Sequence, residues 1–292
     1  MNQIPTESKR VKAFRLELAK AIPRFPNDAA SLSALQQQSL GSLLIDYINW
    51  RVRYVAPRPR AIVIEPAVTT HAGWSAHQAA VTAFLQKVEH GQDLTPHLSL
   101  QPHTRGFTPA AGVPGASVED RWADKDMVLN VMGYHHFHPS LHVEPKGFVT
   151  RTDEIVLAHV TRDTFTVVGV FDHSVFETMP DGSLTPERKR LYEVFDERNT
   201  RGAPTGAVVM SGPGIATSGH ALPVIFMAQH YARIVAHIDP QIDDAAFAAD
   251  FFAELGAPVP KELKWQWVLN HLDLGIAELN SNSVGIYKKG PN

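Results

Sequence analysis

Two runs rich in β-branched and aromatic residues, Glu154–Val160 and Thr164–Phe171, stand on either side of the polar tripeptide Thr161-Arg-Asp163. Runs of this kind suit a pleated, half-buried surface, and so short a connection suits antiparallel neighbours. The pattern therefore predicts a β-hairpin against which the rest of the chain must pack. Ala61–Ile64 reads as a further short strand. Elsewhere the period is helical. Val11, Phe14, Leu18 and Ile22 recur on one face of residues 8–22, whose other face is basic, and Pro23 and Pro26 end the run. A second helical run extends from about Asp28 to Tyr54, with Gly41 as a candidate break, until Ala56-Pro-Arg-Pro-Arg60 stops it. Ser75 and Gln78 have capping-box spacing for a helix over about 75–90. Residues 91–117 read as connecting chain, followed by a short helix over about 119–131. Thr185 and Pro186 open a helix over 186–199, and helices follow over about 221–238, 243–255 and 261–278.

The chain has 292 residues, 44% hydrophobic and 20% charged, with 21 Pro and 19 Gly, an ordinary globular composition that excludes a collagen, a coiled-coil rod and wholesale disorder. It has no cysteine, so disulfides, thiol nucleophiles, thiolate metal sites and iron–sulfur clusters are excluded. The opening MNQIPTESKR has no apolar segment of signal-peptide type, and no 18 uninterrupted apolar residues occur. The expectation is a cytoplasmic protein with no membrane partner. Serine-hydrolase elbows, HExxH zinc motifs, P-loops and dinucleotide fingerprints are missing. Ser211–His220 is a glycine-rich loop running into a helix, and it reads better as loop and cap than as an anion cradle.

Charge is unevenly spread. Residues 1–60 hold ten Lys and Arg against four acids, net +6, which leaves −9 on the remainder of a chain whose total is −3. Arg51, Arg53, Arg58 and Arg60 alternate with Trp50 and Tyr54, a composition suited to a phosphate backbone and to base stacking. The plainer reading is that both rings face a core and the arginines pair with acids of the body.

Fifteen histidines are present, and His135, His136, His138 and His142 fall within eight residues. In an extended segment His136 and His138 share a face with Tyr134, while His135 and Phe137 take the other. The same alternation groups Phe165, Val167, Gly169, Phe171 and His173. If the strands join one sheet, His173 comes toward the imidazole pair, with Arg151 and Thr152 near the start of the hairpin. Two chemistries suit this set. Imidazoles near their ordinary pKa of about 6.5 can serve as base and acid in metal-free phosphodiester cleavage, with Arg151 over the developing negative charge. Alternatively, His136 and His138 with His173, His142 or Glu144 could hold Zn, Fe or Mn in a hydrolase or oxygenase. Histidines serving only as hydrogen-bonded scaffold are the third reading.

The stretch Phe148-Val-Thr-Arg-Thr-Asp-Glu-Ile-Val-Leu-Ala-His-Val-Thr-Arg-Asp-Thr-Phe-Thr-Val-Val-Gly-Val-Phe-Asp-His173 resembles the terminal hairpin of RelE-type ribonuclease toxins, in a wider grouping that includes barnase-like nucleases. The resemblance covers 26 residues. It implies helices packed on a four-stranded antiparallel sheet, metal-free RNA cleavage, Arg151 as the phosphate cation and His173 as the terminal acid or base. His136 and His138 have no counterpart in it.

Taken together, these readings predict an α+β protein in which a small antiparallel sheet is wrapped by N- and C-terminal helices. Its expected divisions are a basic helical segment at 1–60, a helix with a Pro/Gly-rich connection at 61–118, a sheet core with the histidine cluster at 119–180 and a helical part at 181–292. The expected activity is a cofactor-free, histidine-based endoribonuclease. His136 and His138 would be base and acid, Arg151 the charge stabiliser and His173 an orienting or replacement group, while Arg51, Arg53, Arg58 and Arg60 approach the nucleic acid. RNA is the expected partner, with room for a protein partner or inhibitor. A metal enzyme on His136, His138 and His173 is the alternative, and a non-enzymatic binding or regulatory protein the second.

Overall fold

The computed structural model describes residues 7–109, 122–209 and 214–292. Parts of three expected features lie outside them: residues 110–117 of the connecting chain, 119–121 of the short helix and 211–213 of the glycine loop. In chain order the elements begin with helices α1 (Lys9–Ala21), α2 (Ala29–Gln37) and α3 (Leu40–Arg51), strand β1 (Ala61–Ile64), and helices α4 (Pro66–Thr69), α5 (Ala72–Glu89) and α6 (Gln101–Thr104). Next come α7 (Met127–Met132), β2 (Tyr134–Phe137), β3 (Glu154–Val160), β4 (Thr164–Asp172) and α8 (Pro186–Thr200). The chain closes with α9 (Leu222–Ile238), α10 (Ala245–Glu254), β5 (Trp265–Asn270), β6 (Asp273–Glu278) and β7 (Ser283–Lys288). These elements divide into two compact units. The α+β class holds. Among the described residues no helix is long and apolar enough to cross a membrane.

One unit takes its described residues from 1–52, 101–125 and 220–291. Ser8 caps α1 by accepting from the Val11 amide at 3.1 Å, and Phe14, Leu18 and Ala19 are buried. The second helical run breaks at Gln38 and Ser39 rather than at Gly41. Ser39 is extended and its hydroxyl caps α3 from the Ser42 amide, so Gly41 falls inside the first turn of a new helix. The helix expected over 261–278 is instead the hairpin of β5 and β6, extended by β7 into an antiparallel sheet of order β5-β6-β7. Its apolar residues fit either period. The choice falls to packing, because Trp267 and Ile276 oppose one another in register and enter one core with Phe14, Leu44, Tyr231 and Phe252. Trp267 Nε1 also donates to Asp239 Oδ1 at 2.9 Å. His271, at φ 53°, lies in the two-residue turn.

The other unit is built from 53–100, 126–219 and Asn292. Its sheet has the order β1-β4-β3-β2, with β1 parallel to β4 and the other pairs antiparallel. Helix α5 starts at Ala72 with His71 as its cap, which places Ser75 inside it. Phe84, Leu85 and Val88 of α5 pack with Phe137, Val156, Ala158, Phe165, Val167 and Val170 on one face of the sheet. Leu191 of α8 and Val175 of a 3-10 turn (His173–Phe176) pack with Tyr134, Ile155, Leu157, Val168 and Phe171 on the other.

Strand β4 does not keep the alternation expected for it. Leu157 pairs with Gly169 and Ala158 with Val167, so Val168 is an extra residue in a β-bulge. Phe165 and Val167 therefore face α5, while Val168 and Phe171 face α8. A Cβ built on Gly169 would lie 2.2 Å from Cε2 of the Phe171 ring, which is pinned from its other surroundings by the Arg190 guanidinium 3.8 Å from the ring centroid. Gly169→Ala should lower stability by about 1–3 kcal/mol, an overpacking cost at a buried ring. Urea unfolding followed by fluorescence tests this, and an unchanged midpoint would refute the steric role given to Gly169.

Candidate functional site

Helix α7 ends at Gly133, whose φ of 74° turns the chain directly into β2. Strand β2 pairs with β3 so that His136 stands opposite Leu157 on the α8 face, with Tyr134 two residues before it. The bulge in β4 delivers the chain end bearing His173 to that same face. The rings of His138 and His173 consequently stack 5.3 Å apart at an interplanar angle of 20°, and His136 and His138 lie 6.4 Å apart, edge to face. Arg151, preceding β3, places its Nη1 against His138 Nε2. The structure thus brings together His136, His138, His173 and Arg151. His142 is exposed, and Thr152 Oγ1 donates to the Glu154 carbonyl at 2.6 Å.

Hydrogen bonding sets the tautomers. A guanidinium only donates, so His138 Nε2 accepts from Arg151 and the neutral ring carries its proton on Nδ1. His173 Nδ1 donates to the Asp153 carbonyl at 2.7 Å, leaving Nε2 as its basic nitrogen. His136 Nδ1 lies 3.6 Å from Asp126 Oδ2, a charge contact beyond hydrogen-bond distance, while Asp126 Oδ1 caps α7 from the Leu129 amide at 3.0 Å. Burial lowers the pKa of His136, with Arg151 and His173 acting in the same direction and Asp126 opposing them. Burial, then Arg151, hold His138 down at about 3. Arg151 is itself lowered by burial, with Glu144 opposing.

Three residues of this site were not singled out from the sequence. Asp126 serves as both helix cap and charge partner to His136. Phe176 is 39% exposed, with its ring 5.3 Å from His136 and 6.1 Å from His173. His97 is buried behind the cluster, where it donates from Nδ1 to the His138 carbonyl and accepts the His138 amide on its own carbonyl, both at 2.8 Å. Its Nε2 accepts from Lys87 Nζ at 3.1 Å. Asp126, a polar residue before an apolar helix, offered a cap signal; His97 and Phe176 carried none, since their roles depend on contacts distant in sequence or on a turn.

Arg51, Arg53, Arg58 and Arg60 do not form the expected phosphate-facing stripe. Arg53 and Arg60 are buried. Arg60 donates to the carbonyls of Thr161 (2.7 Å), Ala56 (2.9 Å) and Arg58 (3.2 Å), which staples the 56–60 loop to the hairpin turn. Arg58 is half-buried. Arg51, in the other unit, lies 2.7 Å from His271 Nδ1, and Trp50 Nε1 donates to the Pro102 carbonyl at 2.8 Å. His220 is likewise in that unit, 3.3 Å from Asp46 Oδ1. Among the described residues, no three His, Asp or Glu side chains are placed to hold a metal ion. In the alternative set of His136, His138 and His173, the lone pair of His138 Nε2 is directed at a guanidinium.

Comparison of the chain with protein-family models, curated proteins and solved structures returns no match.

His97, His136, His138 and His159 all have depressed pKa values, with burial the largest cause in each. They are neutral when folded and take up protons when unfolded below about pH 6.5, so the stability they contribute is complete above that value and is lost as pH falls toward their folded pKa values. At pH 5, His138 with its folded value of about 3 accounts for about 2 kcal/mol of that loss. The urea midpoint should therefore drop between pH 7 and 5, and the slope should be shallower in His138→Gln. A flat profile across this interval would contradict the burial of these rings.

Proposed function

We propose that the protein cleaves RNA by metal-independent acid–base chemistry at the cluster of His136, His173, His138 and Arg151. The observation that carries this reading is the grouping of three imidazoles on a single sheet face, His138 stacked on His173 and edge-to-face with His136, with the Arg151 guanidinium against His138. Attack by a ribose 2′-hydroxyl needs a base for its proton, an acid for the leaving 5′-oxygen and a cation over the phosphorane.

Burial keeps His136 neutral near pH 7, and Asp126 stands behind its Nδ1, so its Nε2 suits the base. His173, more exposed than His138, keeps its Nδ1–H on the Asp153 carbonyl, so in its imidazolium form the second proton sits on Nε2 and goes from there to the leaving 5′-oxygen. His138 cannot be the acid at neutral pH with a pKa of about 3; it is a positioning residue, orienting Arg151 through Nε2. These assignments differ from the sequence expectation, which gave the base and acid roles to His136 and His138. The hairpin resemblance to RelE-type toxins supports the same reading through Arg151 and His173. RNA as substrate rests on this chemistry rather than on the basic run at 51–60.

His136→Ala and His173→Ala should each lower kcat on a fluorogenic RNA oligonucleotide by about 10²–10⁴, with circular dichroism unchanged. Cleavage should persist in EDTA, yield a 2′,3′-cyclic phosphate and fail on a 2′-deoxy substrate. Parent-rate cleavage by both variants, or none by the parent chain, defeats the proposal. Because the His136 pKa is depressed, the acid limb of kcat/KM should lie below pH 6.5. Asp126→Asn removes a charge that raises that pKa while retaining a capping side chain, so it should move the limb to still lower pH.

A further inference from the structure

Among the described residues, strand β7 ends the three-stranded sheet and pairs only with β6. Its free edge leaves alternate backbone N–H and C=O groups unpaired, a template for another strand. Native edges are commonly blunted by charge, proline or a covering element; β7 carries its charge at its C-terminal end, Lys288, while Val284 and Ile286 in its middle are 47% and 43% exposed. Beside the edge, between β7 and α10, runs an open groove of about 650 Å³. Its walls are Phe247, Phe251 and Leu255 of α10 and its C-terminal end, and Ile286 and Tyr287 of β7. Gly285 permits the close approach that forms this groove: a Cβ there would lie 2.5 Å from Phe251 Cε2.

The charge of the groove is one-sided. Asp244, Asp250 and Glu254 line it, and among the described residues no Lys or Arg does. Asp250 and Glu254, four apart on α10, project from one helix face and are exposed. Asp244 Oδ1 is engaged in capping α10 from the Ala246 amide at 2.9 Å. An occupant must therefore present backbone to the edge, apolar side chains to the aromatic wall and positive charge to the carboxylates. A second copy of the chain would add its own carboxylates to the same rim.

We propose that β7 and this groove bind an extended segment of a partner protein in which lysine or arginine alternates with β-branched or aromatic residues, adding to the sheet as a fourth strand. The alternation follows from the period of two: one set of side chains enters the groove while the edge groups pair.

The test uses the full chain and a fluorescein-labelled peptide of about seven residues alternating lysine with valine, long enough to span β7. A second peptide carries glutamate for lysine. The lysine peptide should bind, weaken with added salt and slow amide exchange across Ser283–Lys288. The glutamate peptide should not bind. The double variant Asp250→Lys with Glu254→Lys, both on the exposed face, should bind the lysine peptide about tenfold more weakly, a loss of about 1.4 kcal/mol. Equal binding of both peptides, no binding of either at about 1 mM, or no effect of the double variant would overturn the proposal. So would sedimentation showing a dimer whose dissociation exposes β7 to exchange, because the occupant would then be a second copy. None of these outcomes depends on RNA cleavage.

Discussion

The β-bulge at Val168 and Gly169 is the constraint on which the histidine cluster depends. Strand side chains alternate with a period of two, and β4 without the extra residue would present His173 on the α5 face along with Phe165 and Val167. His136 belongs to the α8 face, opposite Leu157. One inserted residue exchanges the two faces for the last part of β4. Phe171 then enters the α8-side core, and His173 emerges where its ring stacks on His138. Glycine is needed at 169 because the Phe171 ring occupies the space a Cβ would take, and Arg190 holds that ring from nearby while donating to the Val170 carbonyl at 2.6 Å. Packing of the core and placement of the cluster are thus one event.

The electrostatics of the cluster follow from crowding. Three imidazoles and a guanidinium share a weakly solvated volume, and charge on any one disfavours charge on the others. Arg151 retains its charge most readily, so His138 yields its lone pair as an acceptor and is held neutral. His97 and Lys87 brace the backbone of His138 from behind. The outer two rings are each oriented by an acceptor or charge near Nδ1, Asp126 for His136 and the Asp153 carbonyl for His173. This arrangement gives chemically similar side chains different surroundings, which their spacing in the chain does not separate.

Much of the fold was legible because its signals are local. The hairpin of β3 and β4, the short strand β1, and helices α1, α8 and α9 lie within a residue or two of their expected bounds, since each is marked by periodicity and by caps such as Ser8 and Thr185. The stretch 261–278 was misread because Trp265, Trp267, Val268, Leu269, Leu272 and Ile276 satisfy helical and strand spacing alike. Within the site, local alternation placed His136 and His138 on a common face. The arrival of His173 at that face followed from the bulge rather than from the alternation itself. The arginine run illustrates the opposite failure: composition suggested a polyanion surface, whereas buried Arg60 turns its Nε and Nη1 to three carbonyls of its own chain.

The sequence by itself determined the α+β class, the absence of thiol chemistry, the bounds of α1, α8 and α9 and the hairpin, because propensity, capping and periodicity act over a few residues. Tertiary structure decided the bulge, the strand nature of β5 to β7, the burial of Arg53 and Arg60 and the different hydrogen-bond partners of the clustered histidines. Each of those depends on which atoms occupy the space beside a residue, and the nearest neighbours here, Phe171 to Gly169, Thr161 to Arg60 and His97 to His138, are fixed only when the chain has packed.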